Sequence, residues 1–362
     1  MAVSSFRGRR IDLKGLARTL GLSVTTVSRA LNGYDDVSPR TRERVERAAR
    51  ELGYTPNALA RRLTSGRAET VAFIPQAVEP CFESPYVAEL LVGIGEALHR
   101  SNFDLVLAGG SLSDDPLAAC RRLVEEGRVD GMILDRTFVD DPRVAYLLDQ
   151  RFPFVTLGRD RWCARHAWLD SDGERAFYAL TRALVRAGHR RIAFIGADPR
   201  FNFLRTRERG YRRALREAGV GWDPDLVRYD GFSEGGGAEA CRALLRLAEP
   251  PTAILCIEDL TALGAMQAVW ASGRRPGWDV AVVGYNDTPL AAAASPSLSS
   301  FRLPVRAAGR RLADMVLAIV QGTPADRHQE LWVPQFIARS SHHWREEREA
   351  PERLLNLPTA PG

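Results

Sequence analysis

From residue 70 to residue 285 the sequence alternates between short apolar runs and longer segments with helical periodicity. This alternation is typical of βαβ units and therefore of parallel sheets with helices on their faces. The pattern occurs in two successive series, which predicts an α/β body with two similar lobes. Ligands of such sheets bind at the carboxyl ends of the strands, here in a cleft between the lobes. The predicted strands are 70–75, 103–109, 130–135, 152–158, 191–196, 226–230, 252–257 and 280–285, and the predicted helices are 84–100, 115–127, 173–187, 204–218, 235–247 and 259–271.

Several classes of protein do not fit the composition. No segment approaches the ~18–20 apolar residues of a membrane span, and the first ten residues lead into no apolar signal-peptide segment. The five cysteines include no CxxC pair, so neither a disulfide framework nor a zinc site is expected, and a cytoplasmic location is favoured. The six histidines lack metal-ligand spacing and no nucleophile triad is recognisable, so we predict no metal, no cofactor and no enzymatic activity.

The positive charge is concentrated at the start of the chain. Residues 1–70 hold 14 basic and 7 acidic side chains, whereas the remainder holds 36 basic and 38 acidic ones. A basic segment preceding a near-neutral body indicates a polyanion-binding domain, with nucleic acid as the first candidate. The alternative interpretation is a solubilising segment.

Residues 11–33 predict two short helices joined by a turn, which is the helix-turn-helix pattern. Asp12 is the predicted N-cap of the first helix and Gly21 its end. The apolar face of this helix consists of Leu13, Leu16, Ala17 and Leu20. Ser23 is the predicted cap of the second helix, whose inner face consists of Val27, Ala30 and Leu31 with either Val24 or Thr26.

A third helix is predicted after Ser38, with Ser38 as its N-cap and Pro39 at its first position. Gly53 is expected to end it, and its inward residues are Val45, Ala48, Ala49 and Leu52. Three helices with such narrow apolar faces bury little surface. The segment therefore needs a larger body or DNA to be well ordered.

In a helix-turn-helix the second helix enters the major groove of DNA. Val24, Thr25 and Arg29 are its predicted exposed positions. Arg29 can donate two hydrogen bonds to a guanine edge, and Val24 or Thr25 can contact a thymine methyl group. Five short polar side chains suit phosphate oxygens: Ser23, Thr26, Ser28, Asn32 and Ser38. Ser23 and Ser38 are helix caps in the first place, and Thr26 is expected to be partly buried.

The segment GLSVTTVSRALNGYDDVSPRTRERVERAARELGYTPNALARRLTSGR, residues 21–67, closely resembles the opening domain of LacI/GalR-family transcriptional regulators. The resemblance implies that GYTPNALARRL becomes a hinge helix when a dimer binds DNA. Asn57 would cap that helix, Tyr54 would contact the DNA backbone, and Leu63 would insert at the central base step. An apolar wedge of this kind unstacks one step and bends the duplex, while Arg61 and Arg62 neutralise phosphates.

Segments of the body, among them LVRAGHRRIAFIG, RERGYRRAL and VAVVGYND, resemble the effector-binding body of the same family, which is related to periplasmic sugar-binding proteins. The resemblance implies domains at 1–56 (helix-turn-helix), 57–69 (hinge helix and linker), 70–340 (two-lobed effector and dimerisation body) and 341–362 (tail). It places Arg207 where family members grip effector hydroxyls or carboxylates, and Tyr86 and Phe232 where aromatic groups contact the ligand.

Other positions depart from the family pattern. Asn286 stands where many members have an aspartate, and Glu258 stands where many have an asparagine, so the contacts at both are altered. Gly158 replaces an aspartate of several members, and Arg159 or Asp160 is expected to substitute for it. Asp287 is predicted to be a structural loop residue, and Trp168 either a core residue or a ligand platform.

The leading functional hypothesis is a ligand-controlled, DNA-binding transcriptional regulator, most often a repressor, of carbohydrate genes. A pseudo-palindromic operator implies a homodimer, and the tail lacks the heptads of a tetramer-forming coiled coil. The alternative keeps the DNA-binding domain but has an activator role or a non-sugar effector, such as a nucleobase or a sugar phosphate bound by Arg159, Arg205 and Arg207. A sugar-transport protein and an enzyme are disfavoured.

Overall fold

The structure, a computed structural model, describes residues 11–31, 34–54, 66–76, 84–108 and 115–342. The chain forms two compact units, Met1–Ala68 and Glu69–Gly362, which we call the head and the body. Within the described residues no helix is both long and apolar enough to span a lipid bilayer.

Three helices form the head: α1 (Leu13–Leu20), α2 (Val24–Leu31) and α3 (Pro39–Glu51). The predicted caps are confirmed. The Asp12 carboxylate accepts a hydrogen bond from the Gly15 amide at 2.7 Å, and the Ser23 hydroxyl accepts one from the Thr26 amide at 3.0 Å. The buried residues that hold the helices together are Leu16, Ala17, Leu20, Val27, Ala30, Val37, Val45 and Ala49.

The structure settles two details of the predicted inner faces. The prediction for Leu52 was wrong: this residue is 42% exposed, because α3 ends at Glu51 and the chain turns away through Gly53 at φ 62°. On α2, Thr26 is half-buried whereas Val24 is 40% exposed, so Thr26 is the residue on the core side. The side of α2 that carries Val24 is therefore free for contact.

The first lobe of the body contains a six-stranded sheet in the order β11-β5-β4-β3-β1-β2, and every neighbouring pair in it is parallel. Helices cover both faces of its central strands β1, β3 and β4, which are fully buried. The elements are β1 (Thr70–Ile74), α4 (Pro85–Arg100), β2 (Asp104–Leu107), α5 (Pro116–Glu125), β3 (Gly131–Asp135), α6 (Pro142–Asp149), β4 (Phe154–Leu157), β5 (Ala167–Ser171), α12 (Val305–Val320) and β11 (Gln329–Trp332).

The second lobe repeats this architecture, with the order β12-β10-β9-β8-β6-β7 and only β12 antiparallel to its neighbour. The repetition confirms the prediction of two similar lobes. The elements are α7 (Gly173–Arg186), β6 (Ile192–Ile195), α8 (Asn202–Glu217), β7 (Val227–Arg228), α9 (Glu234–Leu245), β8 (Ala253–Cys256), α10 (Asp259–Ala271), β9 (Ala281–Asn286), α11 (Pro289–Ala293), β10 (Ser299–Arg302) and β12 (Gln335–Ile337).

The chain passes between the lobes at three places: after β5, after β10 and between β11 and β12. The second passage brings α12 back onto α4 of the first lobe. The two helices touch through their backbones at Gly93 and Gly309, where an added Cβ would overlap the carbonyl groups of Arg306 and Leu90 respectively. The sequence-based prediction contains none of the elements after residue 286, and it also lacks α6 and β5.

Candidate functional site

The exposed side of α2 carries the residues predicted to read DNA. Val24, Thr25 and Arg29 are all exposed, as predicted. The Arg29 guanidinium pairs with the Asp36 carboxylate at 2.7 Å and lies 5.0 Å from the centre of the Tyr34 ring. Because the Arg29 and Asp36 side chains remain 45% and 52% exposed, this ion pair is weak and Arg29 is available to a partner.

The short polar residues of the head are mainly occupied in local structure. The Ser23 hydroxyl bonds to that of Thr26, and the Ser38 hydroxyl accepts a hydrogen bond from the Thr41 amide at 3.3 Å as the cap of α3. Ser28 is half-buried. Tyr54 packs against the head core, and burial together with the charge of Asp12 raises its pKa. Five predicted contacts lie outside the described residues: Asn32, Asn57, Arg61, Arg62 and Leu63.

A cleft lies between the carboxyl ends of the two sheets. Both lobes contribute to it, as expected for ligand sites of open parallel sheets. The lining from the first lobe is Tyr86, Asp135, Arg136, Leu157, Gly158, Asp170, Ser171 and Leu303; that from the second is Phe203, Arg207, Phe232, Ile257, Glu258, Tyr285 and Asn286.

Five of the six predicted effector residues line this cleft, namely Tyr86, Arg207, Phe232, Glu258 and Asn286. Arg159 is placed elsewhere. Its Nε donates to the Asp170 carboxylate at 2.8 Å and its guanidinium stacks on the Trp168 ring, so it faces an outer groove and reaches the cleft only through Asp170. Trp168 does not line the cleft either, and Asp287 forms an ion pair with Arg302 at 2.6 Å, in agreement with a structural role.

Arg207 is held rigidly at the floor of the cleft. Its Nη1 donates to the Ile257 carbonyl oxygen at 2.5 Å, and its guanidinium lies 3.6 Å from the centre of the Tyr285 ring. Tyr285 is fixed in turn, because its hydroxyl donates to Ser171 at 2.8 Å. The buried Nε of Arg207 has no hydrogen-bond partner among the described residues and lies beside Gly173.

The opposite wall is positioned by Arg143, whose guanidinium is fully buried. It pairs with Asp141 at 2.7 Å and donates to the carbonyl oxygens of Ile74 and Asp135, which are the last residues of β1 and β3. Arg136 follows directly with φ 53°, in the left-handed region. Phe232 and Asn286 also have positive φ, of 105° and 104°. Such strained backbone is frequent at ligand-binding positions.

Three buried carboxyl groups and two arginines give the cleft its electrostatic character. Burial raises the pKa of Glu258 to about 7, against the lowering influence of Arg136, whose guanidinium is 3.8 Å away. Burial likewise raises the pKa of Asp135 and of Asp170. One oxygen of Asp135 has no hydrogen-bond partner within the described residues. The cleft thus offers both donors and acceptors without an excess of cations.

Sequence reasoning did not identify Asp135, Arg136, Tyr285 or Phe203 as cleft residues. The first three stand at or directly after the carboxyl ends of β3 and β9. The rule that ligands bind at these ends could therefore have found them. Phe203, in the first turn of α8, has no comparable signal, since its position depends on how the lobes face each other.

Glu258 should make stability depend on pH. Its pKa is about 7 in the folded chain and near 4.5 without burial, so folding takes up a proton between these values and stability falls as pH rises through them. As pH rises from 5 to 8, the melting temperature of Glu258→Gln should therefore fall less than that of the wild type. Thermal melts of both proteins test this, with Glu239→Gln on the exposed side of α9 as control. Parallel curves for all three proteins would contradict it.

The chain matches two family descriptions. Residues 12–57 match the lacI family of bacterial regulatory proteins, and residues 181–342 match the periplasmic binding protein-like domain. These matches fall on the head and on the second half of the body.

Full-length relatives agree with these matches. The HTH-type transcriptional regulator AglR of Rhizobium meliloti (strain 1021) is 36% identical over 335 residues, which are 91% of this chain and 94% of that protein. A solved complex of the transcriptional regulator CelR with cellobiose is 33% identical, with a TM-score of 0.70, over 91% of this chain and 99% of that one. The lac repressor dimer bound to operator and the anti-inducer ONPF is 25% identical, with a TM-score of 0.80, over 92% and 99%. This chain therefore belongs to the LacI family of bacterial regulatory proteins.

Proposed function

We propose that this LacI-family regulator binds a pseudo-palindromic operator as a homodimer and releases it when a neutral sugar occupies the inter-lobe cleft. In this role it represses carbohydrate uptake or catabolism genes in the cytoplasm, where the operator is found. The observation that carries the proposal is the composition of the cleft. Four aromatic side chains surround buried donors and acceptors of both charges.

Aromatic side chains and buried charges suit complementary parts of a sugar. The rings of Tyr86, Phe203 and Phe232 offer apolar faces to the C–H faces of a pyranose. The guanidinium of Arg207 and the carboxylate of Asp135, which both line the cleft, offer donors and acceptors to hydroxyl groups, which can themselves donate and accept. Among the relatives, CelR is a regulator solved with cellobiose, which is a neutral sugar.

A sugar phosphate is a poorer match for the cleft. Such a ligand needs convergent cations without neighbouring carboxylates, and the sequence offered Arg159, Arg205 and Arg207 for this purpose. Of these three only Arg207 lines the cleft, where the other arginine is Arg136, whereas Arg159 and Arg205 face outer grooves. Asp135, Asp170 and Glu258 lie beside Arg207 and would repel a phosphate.

Control of DNA binding would follow from linkage. If the sugar and the operator prefer different arrangements of the two lobes, each lowers the affinity for the other by the same factor. In the head, Arg29 with Val24 and Thr25 would read base edges. The remaining contacts to DNA predicted from the sequence and from the family resemblance would be Ser23, Thr26, Ser28, Asn32, Ser38, Tyr54, Asn57, Arg61 and Leu63.

A thermal-shift screen of the purified protein tests the ligand class. The panel contains neutral mono- and disaccharides, sugar phosphates and nucleobases. A ligand at 100 times its dissociation constant should stabilise the folded protein by about 2.7 kcal/mol. We expect a hit among the neutral sugars. Stabilisation by phosphates or nucleobases alone would favour the alternative effector classes and contradict the proposed one.

A further inference from the structure

Outside the cleft, the body carries a groove lined by arginines. This open groove is lined by Arg175, Arg182 and Arg186 of α7, Arg159 of the first lobe and Arg213 of α8. Only two acidic residues, Asp172 and Glu174, line it as well. We call this feature the arginine groove.

The charge of this face contrasts with that of the rest of the body. A second groove on α8 shares Glu174 and Arg213 with the first and adds Arg205, Arg209, Arg212 and Arg216. The body as a whole has slightly more acidic than basic side chains. The two grooves gather nine of the body's arginines. Four of them pair with carboxylates, so the positive field that attracts polyanions comes mainly from the other five; the paired ones are Arg159, Arg209, Arg212 and Arg213.

The arginines of α7 are arranged as a row. Arg175, Arg182 and Arg186 are seven and four residues apart, so they share one side of the helix over about 16 Å. All three are exposed. Within the described parts of the chain, none of them forms an ion pair with a carboxylate, in contrast to Arg209 and Arg213, which pair with Glu174.

Two of the groove's arginines are held in place before any ligand arrives. The Tyr178 ring lies between the guanidinium groups of Arg182 and Arg213, 5.4 and 3.9 Å from its centre. Arg182 donates to the Tyr178 hydroxyl at 3.0 Å, and that hydroxyl donates to Glu217 at 2.5 Å. Preorganised guanidinium groups bind phosphate oxygens in a bidentate manner at reduced entropic cost.

We propose that the arginine groove is a second ligand site, which binds a small molecule carrying two or more phosphate groups. The spread of the arginine row exceeds what a single phosphate can contact. The concave shape favours a small molecule over the flat surface of an acidic protein. Phosphorylated compounds would then bind to the arginine groove and not to the cleft.

The position of the groove connects it to the lobes. Arg159 and Leu331 belong to the first lobe, whereas α7 belongs to the second and begins directly after the passage from β5. A ligand that contacts both sides depends on how the lobes are arranged. Its binding is therefore linked to that of the cleft ligand.

Isothermal titration of the full-length protein with phosphate, pyrophosphate and tripolyphosphate tests the site. We expect affinity to rise along this series, and Arg182→Ala/Arg186→Ala to weaken tripolyphosphate binding at least tenfold. The matched control is Arg242→Ala/Arg246→Ala, a pair of exposed arginines with the same spacing at the end of α9. It should bind within twofold of the wild type.

Three outcomes would overturn the proposal. They are the absence of saturable binding to the wild type, an equal loss in both double variants, and binding of polyglutamate in preference to tripolyphosphate. The Arg182→Ala/Arg186→Ala variant should bind the cleft sugar as tightly as the wild type does. Failure of the arginine groove proposal can therefore be told apart from failure of the proposed function. Tripolyphosphate should also change the sugar affinity of the wild type but not of the groove variant, and an unchanged wild-type affinity would overturn the coupling.

Discussion

Arg207→Ala should weaken binding of the cleft ligand by about 100-fold or more and leave operator affinity in the absence of ligand unchanged. Arg207 is buried and lines the cleft, and its Nη1 is fixed on the Ile257 carbonyl oxygen. A hydrogen bond to a charged group contributes roughly 1.5–3 kcal/mol. Loss of one or two such bonds, together with the packing against Tyr285, accounts for the expected factor.

The matched control for this variant is Arg205→Ala. Arg205 lies on the same helix two positions earlier, is exposed, and donates only to the Pro199 carbonyl oxygen. Its loss should leave sugar binding unchanged. Arg207→Lys keeps the charge but not the planar fork, so an intermediate affinity is expected. Titrations of the three variants, with melting curves to verify folding, decide the matter. If Arg207→Ala binds the sugar as tightly as the wild type does, Arg207 is not part of the ligand site.

Arg29→Ala should weaken operator binding by about 1–3 kcal/mol and relax the preference at one base pair of each half-site. In the free head Arg29 is paired with Asp36, but both side chains are about half exposed, so giving up this pair costs about 0–1 kcal/mol. A bidentate contact with guanine would more than offset that cost. The position of Arg29 on the open side of α2 makes the contact possible.

Selection of bound sequences from a random oligonucleotide pool measures this preference for the wild type and the variant. Arg50→Ala, which removes an exposed arginine in the last turn of α3, serves as the control for net charge. It should reduce affinity slightly and equally for all sequences. If Arg29→Ala behaves in the same way, with the base preference intact, Arg29 contacts phosphate rather than a base.

The head could be predicted in detail because its determinants are local. Asp12, Ser23 and Ser38 each cap the amide three residues later in the chain, and Gly21 ends its helix at positive φ. Leu52 was misplaced because the periodic pattern continues one residue beyond the helix. Such boundaries depend on where the last helical turn ends.

The two-lobed architecture of the body could be predicted from the alternation of apolar runs and helical segments, and the place of the cleft from the ends of the strands. Glu258 and Asn286 were identified through the family resemblance, and they stand near the carboxyl ends of β8 and β9, which meet in the cleft. The position of Arg159 was not predictable, since it depends on pairing with Asp170 on the neighbouring strand. The elements after residue 286 alternate between the lobes, so their place depends on the completed fold and not on periodicity.

The most direct test of the regulatory mechanism is a linkage measurement with the sugar identified by the thermal-shift screen. Fluorescence anisotropy gives the operator affinity with and without saturating sugar, and titration calorimetry gives the sugar affinity with and without operator. The proposed mechanism predicts that both affinities fall by the same factor. Sugar that binds in the cleft and leaves operator affinity unchanged would contradict it.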